Sequence, residues 1–129
     1  MVPPMADAGF LPGQHLIDAY GNGGFKFAGM SHRGSILALP DGVHAWEATA
    51  PDEIDVTALA ALLALPKGRV ELLLVGTGEN LVPLAPALRK RLRESGIGSD
   101  PMSTGAAART YNILLGEGRR VAAALLAVP

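Results

Sequence analysis

Short apolar runs broken by turns fill the first third of this chain, and segments of helical spacing alternate with apolar runs through the rest. Phe25-Lys26-Phe27 puts two rings on one side of a short strand and a lysine on the other. His15 to Ala19 reads as the strand before it. Tyr20-Gly21-Asn22-Gly23-Gly24 closes that strand, because glycine and asparagine supply the positive φ that a tight connection requires. Ser35 to Leu39 and Val43 to Trp46 flank Pro40-Asp41-Gly42, where proline fixes φ and glycine is expected in the left-handed position. The chain up to Ala48 therefore predicts a β-rich, hairpin-like half.

The period changes from Asp55 onward. Val56, Leu59, Ala60, Leu62 and Leu63 predict a helix capped by Asp55 and stopped by Pro66-Lys67-Gly68. Val70 to Val75 is a nearly continuous apolar run, as suits a buried central strand. Gly76-Thr77-Gly78-Glu79-Asn80 follows as a loop. Pro83 is expected in the first turn of a second helix, with Leu84, Leu88 and Leu92 as its buried stripe and Gly96 as its end. Ile97 to Ser99 reads as a short strand. Ser103 or Thr104 caps a third helix that buries Ala107, Ala108, Tyr111, Leu114 and Leu115. Arg109 and Asn112 lie together on another side of it. Gly116 and Gly118 break this helix, and Arg119 to Val128 forms a last strand. Alternating helices and strands predict an α/β fold, a mixed or parallel sheet covered by helices.

With 129 residues, the chain fits one domain. Residues 1–13, with their prolines and glycines, read as a flexible N-terminal tail, and residues 14–129 as a single α/β domain. No cysteine is present, which excludes disulfides, thiolate metal sites and cysteine nucleophiles. Eleven basic and twelve acidic residues give a net charge of −1, so no global field draws nucleic acid or an anionic membrane. Val121 to Val128 falls far short of the ~20 residues that span a bilayer. The N-terminus lacks the pattern of a signal peptide or mitochondrial presequence. A soluble cytoplasmic protein is expected, without membrane insertion or nucleic-acid binding.

Candidate chemistry is sparse. Gly76, Thr77 and Gly78 sit between strand and helix, where backbone N–H groups can face an anion. They lack the remaining glycine of a dinucleotide fingerprint and the Gly-Lys-Ser/Thr of a phosphate loop, and Glu79 would repel a phosphate. The alternative is a turn that lets helix and strand approach closely. Arg109, Thr110, Tyr111 and Asn112 could line a polar pocket with Glu117 and Arg119, suited to a carboxylate or peptide carbonyl. Equally, Arg109 could pair with Glu117 while Tyr111 packs inward. Arg89-Lys90-Arg91 with Arg93 reads as a solvated helix face. His15, His32 and His44 show no metal-ligand spacing. His44, Trp46 and Glu47 could cluster, but an ordinary strand explains them. Ser31-His32-Arg33-Gly34-Ser35 has no nucleophile elbow or assigned acid. No catalytic residue, cofactor or metal is expected.

Several segments together resemble a known family: Met102-Ser103-Thr104, Arg109-Thr110-Tyr111-Asn112 and Glu117-Gly118-Arg119. Upstream, Ile17-Asp18-Ala19-Tyr20-Gly21, Phe25, Gly34-Ser35, Trp46 and Leu74-Val75-Gly76-Thr77-Gly78 agree. The family is that of mitochondrial complex I (NADH dehydrogenase) assembly factor 3 and the adipogenesis-associated Mth-domain protein, with many bacterial members of unknown function. The resemblance spans residues 14–128. It implies a three-layer Mth-like domain with a mixed central sheet, flanking helices and an additional β-hairpin layer. It also implies that Gly76, Thr77 and Gly78 lie near the Arg-Thr-Tyr-Asn helix around a small pocket, and it brings no established catalytic activity. Two readings follow. The first is a non-enzymatic interaction or assembly module with a protein partner, a second copy of the chain being one candidate. The second is a small-ligand or anion-binding protein, or an enzyme of unassigned reaction, using the Gly76–Gly78 loop and Arg109.

Overall fold

The computed structural model describes residues 9–129. Its elements run in the order β1 (Phe10–Pro12), β2 (Ala19–Gly21), β3 (Gly24–Phe27), β4 (Met30–Arg33), β5 (Ser35–Leu39), β6 (Gly42–Trp46), a 3-10 turn (Pro51–Glu53), α1 (Ala60–Leu63), β7 (Leu72–Gly76), α2 (Pro86–Glu94), β8 (Gly98–Met102), α3 (Thr104–Gly116) and β9 (Val121–Leu125). One sheet has the order β1-β6-β5-β9-β7-β8, and a smaller one the order β2-β3-β4. β9, β7 and β8 are parallel, while β5 joins β9 and β6 antiparallel, so the large sheet is mixed.

Alternation along the central strands builds two cores. Leu73 and Val75 of β7 and Ala122 and Ala124 of β9 face α1 and α2, together with Leu62, Leu88 and Leu92. Leu74, Ala123 and Leu125 face the other way, toward Ala107, Ala108 and Tyr111 of α3 and the rings of Phe25 and Phe27. The layers are thus α1 and α2, the mixed sheet, and α3 beside the small sheet. This is the three-layer α/β domain with an added β layer that the resemblance implies.

Several local expectations need correction. The first eight residues of the expected tail lie outside the described residues. Phe10–Pro12, its later part, is instead an edge strand on β6, where the Phe10 ring lies 4.7 Å from that of His44. Gly42 has φ 158°, a positive φ that favours glycine as expected, though it opens β6 rather than sitting in a left-handed turn. Its missing side chain serves close approach, since a Cβ there would overlap the Leu11 carbonyl. The residues from His15 to Asp18 form no strand, because side-chain bonds hold the Ile17 main chain. The first helix keeps only Ala60–Leu63, as the Trp46 indole N–H donates to the Ala58 carbonyl at 2.8 Å and takes an acceptor a longer helix would use. Asp55 still caps that turn, accepting from the Ala58 N–H at 2.8 Å. α2 begins at Pro86, not near Pro83, because a residue before proline avoids the α region, and Ala85 is extended with ψ 137°. β8 runs further than expected, to Met102.

Candidate functional site

The C-terminal ends of the parallel strands β7 and β9 converge on the start of α3, the place where open α/β sheets leave a crevice. Here a depression of about 300 Å³ is lined by Gly78, Glu79, Ser103, Ala106 and Arg109, with Tyr20 of β2 along one wall. A single hydroxyl organises its base. Thr104 Oγ1 donates to the Leu126 carbonyl at 2.8 Å and accepts from the Gly78 N–H at 3.1 Å. The Thr104 N–H in turn donates to the Gly78 carbonyl at 2.8 Å. Thr77 is equally committed. Its N–H donates to the Met102 carbonyl at 2.9 Å, and its hydroxyl donates to the Asn80 carbonyl at 2.7 Å while accepting from the Val82 N–H at 2.9 Å.

These bonds revise the anion reading of the glycine loop. The N–H groups of Thr77 and Gly78 serve internal acceptors and do not face the depression. Gly76 permits close packing, since a Cβ would lie 2.9 Å from the Thr104 Cα. The loop is a joint between β7, β8 and α3.

The residues expected to form one polar pocket separate into five places. Arg109 lies at the depression, and its guanidinium donates to the Tyr20 hydroxyl at 3.4 Å. Thr110 turns back on its own helix, its hydroxyl donating to the Ala106 carbonyl at 2.8 Å. Tyr111 is fully buried in the core, and burial pushes its phenol up to about 12. Asn112 holds the chain before β2, accepting from the Ile17 N–H and donating to the Ile17 carbonyl, both at 2.8 Å. Glu117 and Arg119 lie past the far end of α3, with Glu117 roughly 12 Å further along the axis than Arg109 at 1.5 Å per residue. Arg119 and Arg120 both donate to Glu71 there, at 3.1 and 3.2 Å. The expected Arg109–Glu117 pair is replaced by Arg109–Tyr20.

Sequence reasoning missed Tyr20 as a wall of this site, reading it as part of a turn. The one available signal is Gly105, an unusual residue for a first helical turn. A Cβ there would overlap the Tyr20 hydroxyl, so the glycine makes room for the ring. Beside Arg109 stand exposed apolar groups: Ile113, one turn on, is 62% exposed, and Tyr20 is 44% exposed.

The remaining candidates are structural. His15 meets the Pro12 carbonyl, His32 the Ser35 carbonyl and His44 the Asp41 carboxylate. Burial lowers the His32 imidazole from its ordinary value, more than its backbone bond to Ser35 raises it. Among the described residues, no group of three potential metal ligands occurs. The basic positions of α2 are largely exposed, as a solvated face should be.

A protein-family profile described as "Protein of unknown function (DUF498/DUF598)" matches residues 17–126. An uncharacterized protein of Rhodobacter capsulatus is 47% identical over 95% of this chain and 89% of its own length. NADH dehydrogenase [ubiquinone] 1 alpha subcomplex assembly factor 3 of Xenopus tropicalis is 31% identical over 86% of this chain, which spans 60% of that factor's length. Among solved structures, one from Bartonella henselae described as an outer membrane protein superposes with a TM-score of 0.82 at 49% identity, covering 92% of this chain and 98% of that one. A Bordetella pertussis protein described as a Mth938-like domain superposes with a TM-score of 0.72 at 34% identity, covering 87% and 85%. No helix among the described residues is long and apolar enough to cross a membrane.

Proposed function

The chain belongs to the DUF498/DUF598 family, and from that premise we propose that it works without catalysis, as a module that holds a protein partner during assembly of a larger complex. The observation that carries this reading is the ridge of Tyr20, Arg109 and Ile113. Large apolar side chains stand exposed there around one arginine. Aromatic, aliphatic and arginine side chains in one patch have the composition of a protein-binding centre. The ridge has a firm support, because Gly105 seats Tyr20. The frog relative is named as an assembly factor of NADH dehydrogenase. By analogy, the partner here is a component of a respiratory complex or a companion factor, met in the cytoplasm.

Affinity purification of the tagged chain from its native cells, compared with Ile113→Asp and Arg109→Glu, tests the reading. Specific partners present with the parent chain and depleted with both variants support it. Recovery of the same proteins with all three chains, or of the free chain alone, contradicts it.

A second reading is a carboxylate-bearing ligand in the depression, held by Arg109 near the start of α3. Glu79 on the rim and the engaged N–H groups of Thr77 and Gly78 weigh against it. A thermal-shift screen decides. A ligand at ~100 times its dissociation constant adds ~2.7 kcal/mol, and Arg109→Ala should remove that shift.

A further inference from the structure

At one end of the large sheet the α1–α2 face, with Leu37, Leu39 and Trp46, is covered by the segment carrying Ile54 and Leu59. α2 packs beside β8, at the far edge. Leu37 of β5 and His44 of β6 pair in register at the other end. There the segment from the 3-10 turn to α1 leaves a groove of about 550 Å³ against β6. Trp46 and Leu37 form its floor, and Ala58 and Ala61 its opposite wall. The indole is fixed by its bond to the Ala58 carbonyl at 2.8 Å.

The rim is acidic, with Glu47, Glu53 and Asp55 all exposed. Two of these carboxylates are oriented by the backbone. Glu53 Oε1 accepts from the Thr49 N–H at 2.7 Å, which with the Thr49 hydroxyl holds its carboxyl below the usual range. Asp55 Oδ1 accepts from the Ala58 N–H at 2.8 Å. No lysine or arginine occurs between Arg33 and Lys67, while Asp41, Glu47, Asp52, Glu53 and Asp55 all fall within that interval. A chain close to neutral overall therefore carries concentrated negative charge around one apolar-floored groove. The nearby His44 imidazole is already engaged by Asp41 at 3.1 Å.

We propose that this groove docks a segment of a protein partner in which a lysine or arginine neighbours an aliphatic side chain. The cation meets the carboxylates of Glu47, Glu53 and Asp55, and the aliphatic group covers Ala61 and the edge of Trp46. Charge complementarity selects the partner and speeds its approach, while the covered apolar surface holds it. This surface is separate from the α3 ridge and shares with the preceding reading only the premise that the chain binds proteins.

Trp46 is the sole tryptophan, so its emission reports directly on the groove. The full chain is titrated with an alternating lysine–leucine octapeptide and with its serine–leucine counterpart. The expected result is a saturable change in Trp46 emission with the lysine peptide, about tenfold weaker in Glu47→Lys and weakened by added salt. Arg109→Glu, on the other face, should bind the peptide as the parent chain does. Retained peptide binding in that variant alongside lost partner capture would separate the two surfaces. The proposal is overturned if the serine peptide binds equally well, or if Glu47→Lys has no effect while its thermal midpoint matches the parent. It is also overturned if spermidine produces the same change at the same concentration, which would assign the groove to small polyamines.

Discussion

Asn112 binds the main chain of Ile17 as a neighbouring strand would. Its side-chain amide accepts from the Ile17 N–H and donates to the Ile17 carbonyl, both at 2.8 Å, across 95 positions of sequence. Both backbone groups of Ile17, between β1 and β2, are thus paired without a strand. Replacing Asn112 with alanine leaves both Ile17 groups unpaired in a partly buried place. Loss of stability of ~1–3 kcal/mol is expected in chemical denaturation, together with faster amide exchange at Ile17. Unchanged stability would mean that the clamp is dispensable.

Thr104 is fully buried at the junction of three elements. Its hydroxyl joins Gly78 to Leu126, so Thr104→Val keeps the shape but orphans the Gly78 N–H and the Leu126 carbonyl. A cost of ~1–3 kcal/mol is expected. Thr104→Ser keeps the hydroxyl and should recover most of it. Equal losses in valine and serine variants would assign the role to the methyl group.

Gly105 and Tyr20 form a matched pair. An alanine at position 105 must push the Tyr20 ring aside and break its contact with Arg109. The ring is half exposed and can move, so the stability loss of Gly105→Ala should shrink in a Tyr20→Ala background. The four chains of this double-mutant cycle, compared by thermal unfolding, check that coupling. Additive losses would contradict it.

Glu71 joins the far end of the sheet to Arg119 and Arg120. The Arg119 hydrogen bond leads in holding its carboxyl below the ordinary value of 4.5, with the charge of Arg120 adding to it. A depressed carboxyl stabilises the fold above its unfolded-state value, and that contribution is lost as pH falls through the folded-state value. The stability difference between the parent chain and Glu71→Gln should be constant near neutrality and close below pH 4.5. Because the group is exposed, added salt should reduce the difference. A gap that widens in acid would contradict the pairing.

The elements legible in the sequence are those whose signals are local. β7 is an apolar run bounded by turns, and α3 has a hydroxyl cap, a regular buried side and glycines at its end. β3 follows from the alternation of Phe25-Lys26-Phe27, and β5 and β6 from the apolar runs on either side of the Pro40-Asp41-Gly42 turn. β8 is harder to read because Gly98-Ser99-Asp100-Pro101-Met102 has the composition of a loop. Its place at the sheet edge tolerates proline. β1 is obscured in the same way by Pro12 and the flanking glycines.

The candidate site was legible only in part, because its geometry depends on distant partners. Arg109 and Gly78 do meet at the depression, yet Tyr20 reaches Arg109 from 89 positions away. Neither periodicity nor capping carries that information. Tyr111 and Arg109 stand two residues apart on one helix, and the rotation of the helix sends the first into the core and the second to solvent. Nor does sequence spacing reveal that the Thr77 and Gly78 N–H groups are already used inside the fold.

The central claim is that the face carrying Ile113 and Arg109 contacts a protein partner. Photocrosslinking in living cells tests it most directly, with a light-activated amino acid at position 113 and, as a control, at Arg89 on the solvated face of α2. A discrete adduct with another protein is expected from position 113, absent from position 89 and lost on adding Arg109→Glu. Identical adduct patterns from both positions, or none from position 113, would contradict it.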